Sequence, residues 1–142
     1  MTLPETIQHL PVRIQLSRAE GFRLAEQAPD GRPIVNVARP SKWGNPYVVG
    51  DAHGFPSTPF EVTFDRTGGL IGRLASKERA LLLAATLFRV ELDWLVSSGH
   101  YPNPDELRGK HLACWCALPN LIEPCPPCHA THLLAVANGW AT

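Results

Sequence analysis

The sequence predicts a small α/β domain with a mixed or mostly parallel sheet, a βαβ crossover and a C-terminal helix. Residues 34–38 and 111–116 each form a short apolar run of the kind found in buried strands. Between these two runs, residues 76–98 repeat apolar side chains at helical spacing. Residues 126–138, which follow the second run, show the same spacing. Because the order strand, helix, strand, helix is typical of a right-handed crossover between parallel strands, we expect one domain over residues 1–142.

Local patterns predict the shorter elements. Residues 11–18 alternate apolar and polar side chains, as a half-buried strand does. Residues 19–27 fit a short helix that ends at a Pro-Asp-Gly turn. Residues 34–38 are rich in β-branched side chains, which favours a central strand. Residues 47–49 and 104–107 predict a short strand and one helical turn.

Residues 51–75 carry weaker patterns. Phe60, Val62 and Phe64 alternate with polar neighbours, which predicts an edge strand or one arm of a hairpin. The glycines at positions 68, 69 and 72 predict a flexible turn or lid.

The two helices have clear core-facing sides. Gly99 is predicted to end the first helix, and Gly139 follows the end of the second. The core side of the first comprises Leu81, Ala84, Ala85, Phe88, Leu92 and Leu95. The core side of the second comprises Ala130, Leu133, Leu134 and Ala137.

Composition excludes several classes of protein. The 13 basic and 13 acidic side chains cancel, which argues against broad binding to nucleic-acid backbones. No stretch reaches the roughly 18 apolar residues that a membrane span needs. The N-terminus lacks the charged and apolar regions of a signal peptide. We therefore expect a cytoplasmic protein, where clustered cysteines more often bind metal or react than form disulfides.

The cysteine spacing predicts a zinc site. Cys114 and Cys116 lie two apart in a predicted strand, so their side chains point to one face and Trp115 packs on the other side. Cys125 and Cys128 lie in a turn that enters the last helix. Two cysteine pairs that meet across a short loop match the four ligands of tetrahedral zinc.

Other interpretations of this cluster stay open. His129 is an alternative zinc ligand, and the cysteines also fit buried, inert thiols. Cys116, Cys128 and His129 fit a catalytic group, because a helix N-terminus stabilises a thiolate and histidine exchanges protons near neutral pH. Residues 124–128 match half of the zinc nucleobase-deaminase signature, but the chain has no His-x-Glu to complete it.

The segment RPSKWGNP, residues 39–46, contains the parts of a site for a nucleotide-like or phosphorylated ligand. Its cationic and hydroxyl side chains suit an anion, its glycine permits close approach, and its tryptophan and asparagine suit a base or sugar. The predicted ligand-binding residues are Arg39, Ser41, Lys42, Trp43, Gly44 and Asn45. A structural turn, with Trp43 covering the core and Asn45 starting the turn, accounts for the segment equally well.

The predicted topology places the two motifs together. If residues 34–38 and 111–116 are parallel strands, both end at the same edge of the sheet. Open α/β sheets usually bind ligands at that edge, so RPSKWGNP and the Cys-Trp-Cys segment would share one crevice.

These motifs resemble a domain-of-unknown-function family of phage and bacterial proteins. The family pattern contains V-N-V-x-R, K-W-G-N-P, L-R-G-K-x-L-x-C-W-C and C-H-A/G-x-x-L-L. The corresponding residues here are 35–39, 42–46, 107–116 and 128–134. The resemblance covers about residues 33–139, with an insertion-like stretch at 51–75, and implies no activity. In that pattern the loop before C-H is shorter, which favours Cys114, Cys116, Cys128 and His129 as the general ligand set.

The sequence therefore favours a zinc or cysteine site beside a crevice that binds, or acts on, a nucleotide-like or phosphorylated ligand. Such a site fits an enzyme of nucleotide or nucleic-acid metabolism, but the sequence does not decide whether the chain is an enzyme. A non-enzymatic interaction module, in which zinc or packed cysteines only staple the C-terminus, is the main alternative. A divergent deaminase-like enzyme is a third.

Overall fold

The computed structural model contains one parallel and one antiparallel sheet together with two helices, which confirms the α/β class. It describes residues 10–28, 30–116 and 128–140. The chain divides into two compact units, Met1–Ser41 with Asn103–Thr142, and Lys42–Pro102. We call them the parallel-sheet unit and the antiparallel-sheet unit, and a single domain over residues 1–142 stays a prediction.

Six strands and two α-helices form the described part of the chain. Two 3₁₀ turns accompany them, Leu24–Gln27 and Pro104–Leu107. The first is all that forms of the helix predicted over residues 19–27, and the second is the helical turn predicted over residues 104–107. The elements are, in chain order, β1 (Arg13–Gln15), β2 (Ile34–Asn36), β3 (Tyr47–Asp51), β4 (Phe60–Phe64), β5 (Gly69–Leu74), α1 (Lys77–Ser97), β6 (His111–Cys114) and α2 (His129–Ala137).

The parallel sheet has the order β1, β6, β2, and β6 is parallel to both neighbours. Gln15 pairs with Cys114 on one side, and Asn36 pairs with Ala113 on the other. All four residues of β6 are buried. The expectation that residues 34–38 form the central strand is therefore wrong: the segment is apolar, but β6 takes the position that is paired on both sides.

The parallel pairing of β2 with β6 confirms the predicted crossover strands, although the connection is longer than one helix. Between these strands the chain forms β3, β4, β5 and α1. The pattern of residues 51–75 was too weak to predict a separate sheet within the crossover.

His111, to which the sequence assigns no role, holds β6 to two other segments. The backbone N–H of Val12 donates to Nδ1 of this buried imidazole at 3.0 Å. Nδ1 therefore carries no proton, and Nε2 donates to Oδ1 of Asp30 at 2.7 Å. The other oxygen of Asp30 lies 3.2 Å from Nε of Arg32, which completes the charge balance.

The core side predicted for the last helix is confirmed in α2. The helix begins after Cys128 and buries four apolar residues against the parallel-sheet unit: Ala130, Leu133, Leu134 and Ala137. Residues 126 and 127, which the sequence places in this helix, lie outside the described residues.

The antiparallel sheet has the order β3, β4, β5. The predicted hairpin arm is β4, and its register shifts between Val62 and Thr63. Gly69 and Gly72 lie in β5 rather than in a lid, because β4 supplies the backbone hydrogen bonds that stabilise an extended conformation there.

The long helix, α1, follows its predicted signals closely. Ser76 caps its N-terminus by accepting from the N–H of Arg79 at 3.2 Å. Gly99 follows its C-terminus with φ of 80°, a conformation that favours glycine. The buried face is displaced from the prediction, since Leu81 is exposed and Ala80 is buried; the buried residues are Ala80, Ala84, Phe88, Leu92 and Leu95. In the described part of the chain, no helix combines the length and apolarity needed to cross a bilayer.

Replacement of Phe88 tests the core of the antiparallel-sheet unit. Because Phe88 is completely buried, Phe88→Ala should lower the free energy of unfolding by about 3–5 kcal/mol in urea denaturation. The matched control, Leu82→Ala on the exposed side of α1, should change it by less than about 0.5 kcal/mol. Equal effects of the two substitutions would contradict the assigned helix face.

Replacement of Asp30 tests the His111 connection through its pH dependence. The hydrogen bond from His111 lowers the pKa of Asp30 below the ordinary value of 3.8. The carboxylate therefore stabilises the fold above about pH 4, and this contribution disappears as pH falls through the lowered pKa. Asp30→Asn should lower Tm at neutral pH, and the gap from wild type should narrow in acid. Asp93→Asn, on an exposed part of α1, should show no such narrowing.

Candidate metal centre

Three cysteine sulfurs meet where β6 ends and α2 begins. The Sγ atoms of Cys114, Cys116 and Cys128 all lie within 4.8 Å of one another. The Sγ atoms of Cys114 and Cys128 are 3.2 Å apart. Tetrahedral zinc with Zn–S bonds of about 2.3 Å separates its sulfur ligands by about 3.8 Å. This sulfur cluster therefore has the donor type and dimensions to hold a metal ion.

Local structure explains why these three side chains converge. Cys114 is the last residue of β6, and Cys116 lies two residues beyond it, in a bend rather than in the strand predicted over residues 111–116. Cys128 is the N-cap residue of α2, with an extended backbone. Packing of the buried face of α2 positions the start of that helix, and with it Cys128. The end of β6 and the start of α2 therefore both supply sulfur atoms to the cluster.

Arg13 adds a cation to the cluster. Its Nη1 donates to Sγ of Cys114 at 3.1 Å and to the backbone carbonyl of Cys116 at 2.7 Å. The alternating pattern of residues 11–18 assigns Arg13 to a polar face and gives no reason to place it beside a cysteine. The pairing of β1 with β6 supplies that information, because it brings Arg13 level with Leu112 on the neighbouring strand.

The three thiols are not equivalent as acids. Hydrogen bonds from the Cys116 and Cys128 thiols, aided by the charge of Arg13, lower the pKa of Cys114. Because the Cys116 and Cys128 thiols donate those hydrogen bonds, the pKa of each is raised, and burial and the negative charge of Cys114 raise both further. A divalent cation would provide the positive charge needed for all three to ionise, so metal binding would release protons.

His129 follows Cys128 but does not belong to the sulfur cluster. Its Nε2 lies 3.0 Å from the carbonyl oxygen of Val37, one residue after β2. This contact joins the first residue of α2 to the chain that leaves the neighbouring strand. Cys125, the remaining predicted ligand, lies outside the described residues.

The RPSKWGNP segment is divided between the two units. Arg39 and Ser41 lie in the parallel-sheet unit, in the turn that follows β2, where the N–H of Ser41 donates to the carbonyl of Ala38 at 3.0 Å. Because β2 and β6 are parallel, this turn starts at the same edge of the sheet at which β6 ends with Cys114. The sequence predicts this common edge. The roles of Arg39 and Ser41 as ligand-binding residues stay predictions.

The rest of the segment lies in the antiparallel-sheet unit, where Trp43 and Asn45 have structural contacts. Trp43 is 5% exposed and packs edge-to-face with Tyr101, whose hydroxyl donates to the Trp43 carbonyl at 2.6 Å. The amide of Asn45 donates to the Ala84 carbonyl at 3.1 Å and accepts from the N–H of Tyr47 at 2.9 Å. These contacts favour the structural-turn interpretation of both residues.

The remaining two residues of the predicted site differ in exposure. Lys42 is exposed, with Nζ 5.2 Å from the centre of the Trp43 ring, and Gly44 is buried. Ligand binding by Lys42, Trp43, Gly44 and Asn45 stays a prediction.

A comparison with protein families finds a match over residues 14–139 to a family described as "Domain of unknown function (DUF4326)". The chain belongs to this family. The DUF4326 match confirms the predicted relationship to a domain-of-unknown-function family and begins earlier than the expected residue 33, within β1. It thus includes β2, β6, α2 and the last two residues of β1. No curated protein and no solved structure matches the chain.

Replacement of His129 separates a metal ligand from a structural contact. Because Nε2 of His129 contacts the Val37 carbonyl, His129→Ala should lower the free energy of unfolding by about 1 kcal/mol while metal content stays the same. Thermal unfolding and elemental analysis of the same preparation measure both quantities. Loss of the metal in this variant would instead make His129 a ligand.

Proposed function

We propose that the chain binds one zinc ion through Cys114, Cys116 and Cys128, and that the ion fastens the end of β6 to the start of α2. The convergence of three sulfur atoms within 4.8 Å carries this proposal. Thiolates are soft ligands that suit zinc, and three of them at one point repel each other unless a cation is present.

The position of Arg13 supports the same assignment. A zinc ion with three thiolate ligands carries a net negative charge, and Nη1 of Arg13 donates directly to one of those sulfurs. Its second hydrogen bond, to the Cys116 carbonyl, fixes the segment between two ligands. Such surrounding hydrogen bonds commonly orient metal ligands in proteins.

A second proposal concerns a phosphorylated, nucleotide-like ligand at the carboxyl edge of the parallel sheet. All three strands of that sheet run in one direction, so the segments that follow them leave from one edge. Arg39 and Ser41 lie there, and the Val37–His129 contact brings α2 to the same segment. A ligand at this edge would make the chain an enzyme or a ligand-binding module, whereas an interaction module would need only the zinc staple.

Metal analysis tests the zinc proposal. Protein purified without added chelator should contain about one zinc ion per chain by inductively coupled plasma mass spectrometry. Removal of the ion should lower Tm by about 10 °C or more, because binding to the native state alone contributes directly to stability. Cys114→Ser, Cys116→Ser and Cys128→Ser should each lose most of the metal.

Two further samples make this result decisive. The triple variant that lacks all three thiols should show no change in Tm on addition of chelator. Cys125→Ser identifies the fourth ligand, since loss of zinc in this variant would assign that position to Cys125. A wild-type protein that contains no zinc after expression in zinc-supplemented medium, and whose Tm is unchanged by zinc, would refute the proposal.

A further inference from the structure

An exposed tryptophan lies between two of the cluster cysteines. The sequence predicts that Trp115 packs on the side of β6 opposite the cysteines, but the residue is 46% exposed. The guanidinium carbon of Arg18, itself exposed, lies 4.9 Å from the centre of the indole ring. The guanidinium thus lies over one face of the exposed indole. An exposed indole with a cation over one face offers its aromatic surface to a planar ring and the charge to an anion.

Arg18 and Trp115 follow strands that end at the carboxyl edge of the parallel sheet, which is the edge where open α/β sheets bind ligands. Arg18 follows the end of β1, and Trp115 immediately follows the end of β6. The turn containing Arg39 follows the end of β2 at the same edge. In sheets whose strands are parallel, the carboxyl ends of the strands line the ligand crevice.

Trp115 is better placed for stacking than the tryptophan that the sequence favours. Trp43 is 5% exposed, and its ring packs against Tyr101. Trp115 retains nearly half of its surface for contact with a partner.

We propose that Trp115 and Arg18 form a binding site for a mononucleotide, with the base stacked on the face of the indole opposite Arg18 and the phosphate held by the guanidinium. The two functional groups together select a ligand that carries both an aromatic ring and an anion. The equal numbers of basic and acidic side chains favour a small ligand over a polynucleotide. The inference rests on the proposed zinc centre for the position of Trp115, and it deepens the proposed ligand site.

Isothermal titration calorimetry of the zinc-loaded full chain tests this inference with the four common nucleoside monophosphates. At least one of them should bind, and Trp115→Ala should weaken its binding about tenfold. Arg18→Gln should weaken binding of that nucleotide more than binding of the corresponding nucleoside. Trp94→Ala is the matched control, because Trp94 is 48% exposed but belongs to α1, and it should leave affinity unchanged.

Several results would overturn the inference. They are the absence of binding by all four nucleotides, equal affinity of wild type and Trp115→Ala, and binding of a single-stranded oligonucleotide without binding of any mononucleotide. Ribose 5-phosphate that binds as tightly as the nucleotide would also overturn it, because the base would then contribute nothing. Zinc measured in each sample keeps the two proposals apart: absence of zinc refutes the centre, whereas zinc-loaded protein that binds no nucleotide refutes only this site.

Discussion

The parallel pairing of β6 with a strand on each side is the constraint on which the rest of the parallel-sheet unit depends. It buries all four residues of β6 and directs the chain ends of three strands to one edge. The Cys-Trp-Cys segment is consequently presented at that edge, and Arg13 reaches it from β1. The hydrogen bonds of His111 reinforce this arrangement at the other end of the strand. Every functional proposal made for this unit uses that common edge.

The sulfur cluster adds a second kind of contact between the end of β6 and the start of α2, beside the apolar contacts of that helix. β6 has only four residues and α2 has nine, so the segment between them is long compared with the elements that it joins. The buried face of α2 positions the helix, and Ala130 already packs its first turn. The cluster and the His129–Val37 contact both act there. A metal bound by three thiolates would contribute far more to the free energy of unfolding than a hydrogen bond between thiols does.

The sequence predicts the elements of this fold better than their arrangement. Hydrophobic periodicity identifies α1 and α2, because one face of each helix must be buried, and Gly99 marks the end of α1. Periodicity does not tell which of two apolar strands is central: the sequence predicts both segments as buried strands and assigns the central position to residues 34–38, which form the edge strand β2. The contacts of Arg13 and His111 depend on strand register, which a single sequence does not reveal. The cysteine spacing predicts that Cys114 and Cys116 lie together, although Cys116 lies in a bend after β6. Trp115 is exposed where the sequence predicts packing, and Trp43 is buried, as the structural-turn alternative requires.

Membership in the DUF4326 family gives the chain relatives but no reaction, so the chemistry of the sulfur cluster is the most direct route to its function. Zinc K-edge X-ray absorption of the purified protein measures the ligands themselves. If the three cysteines hold the ion, the spectrum should show at least three sulfur scatterers at about 2.3 Å from zinc. A spectrum that contains only nitrogen and oxygen scatterers would contradict the zinc proposal.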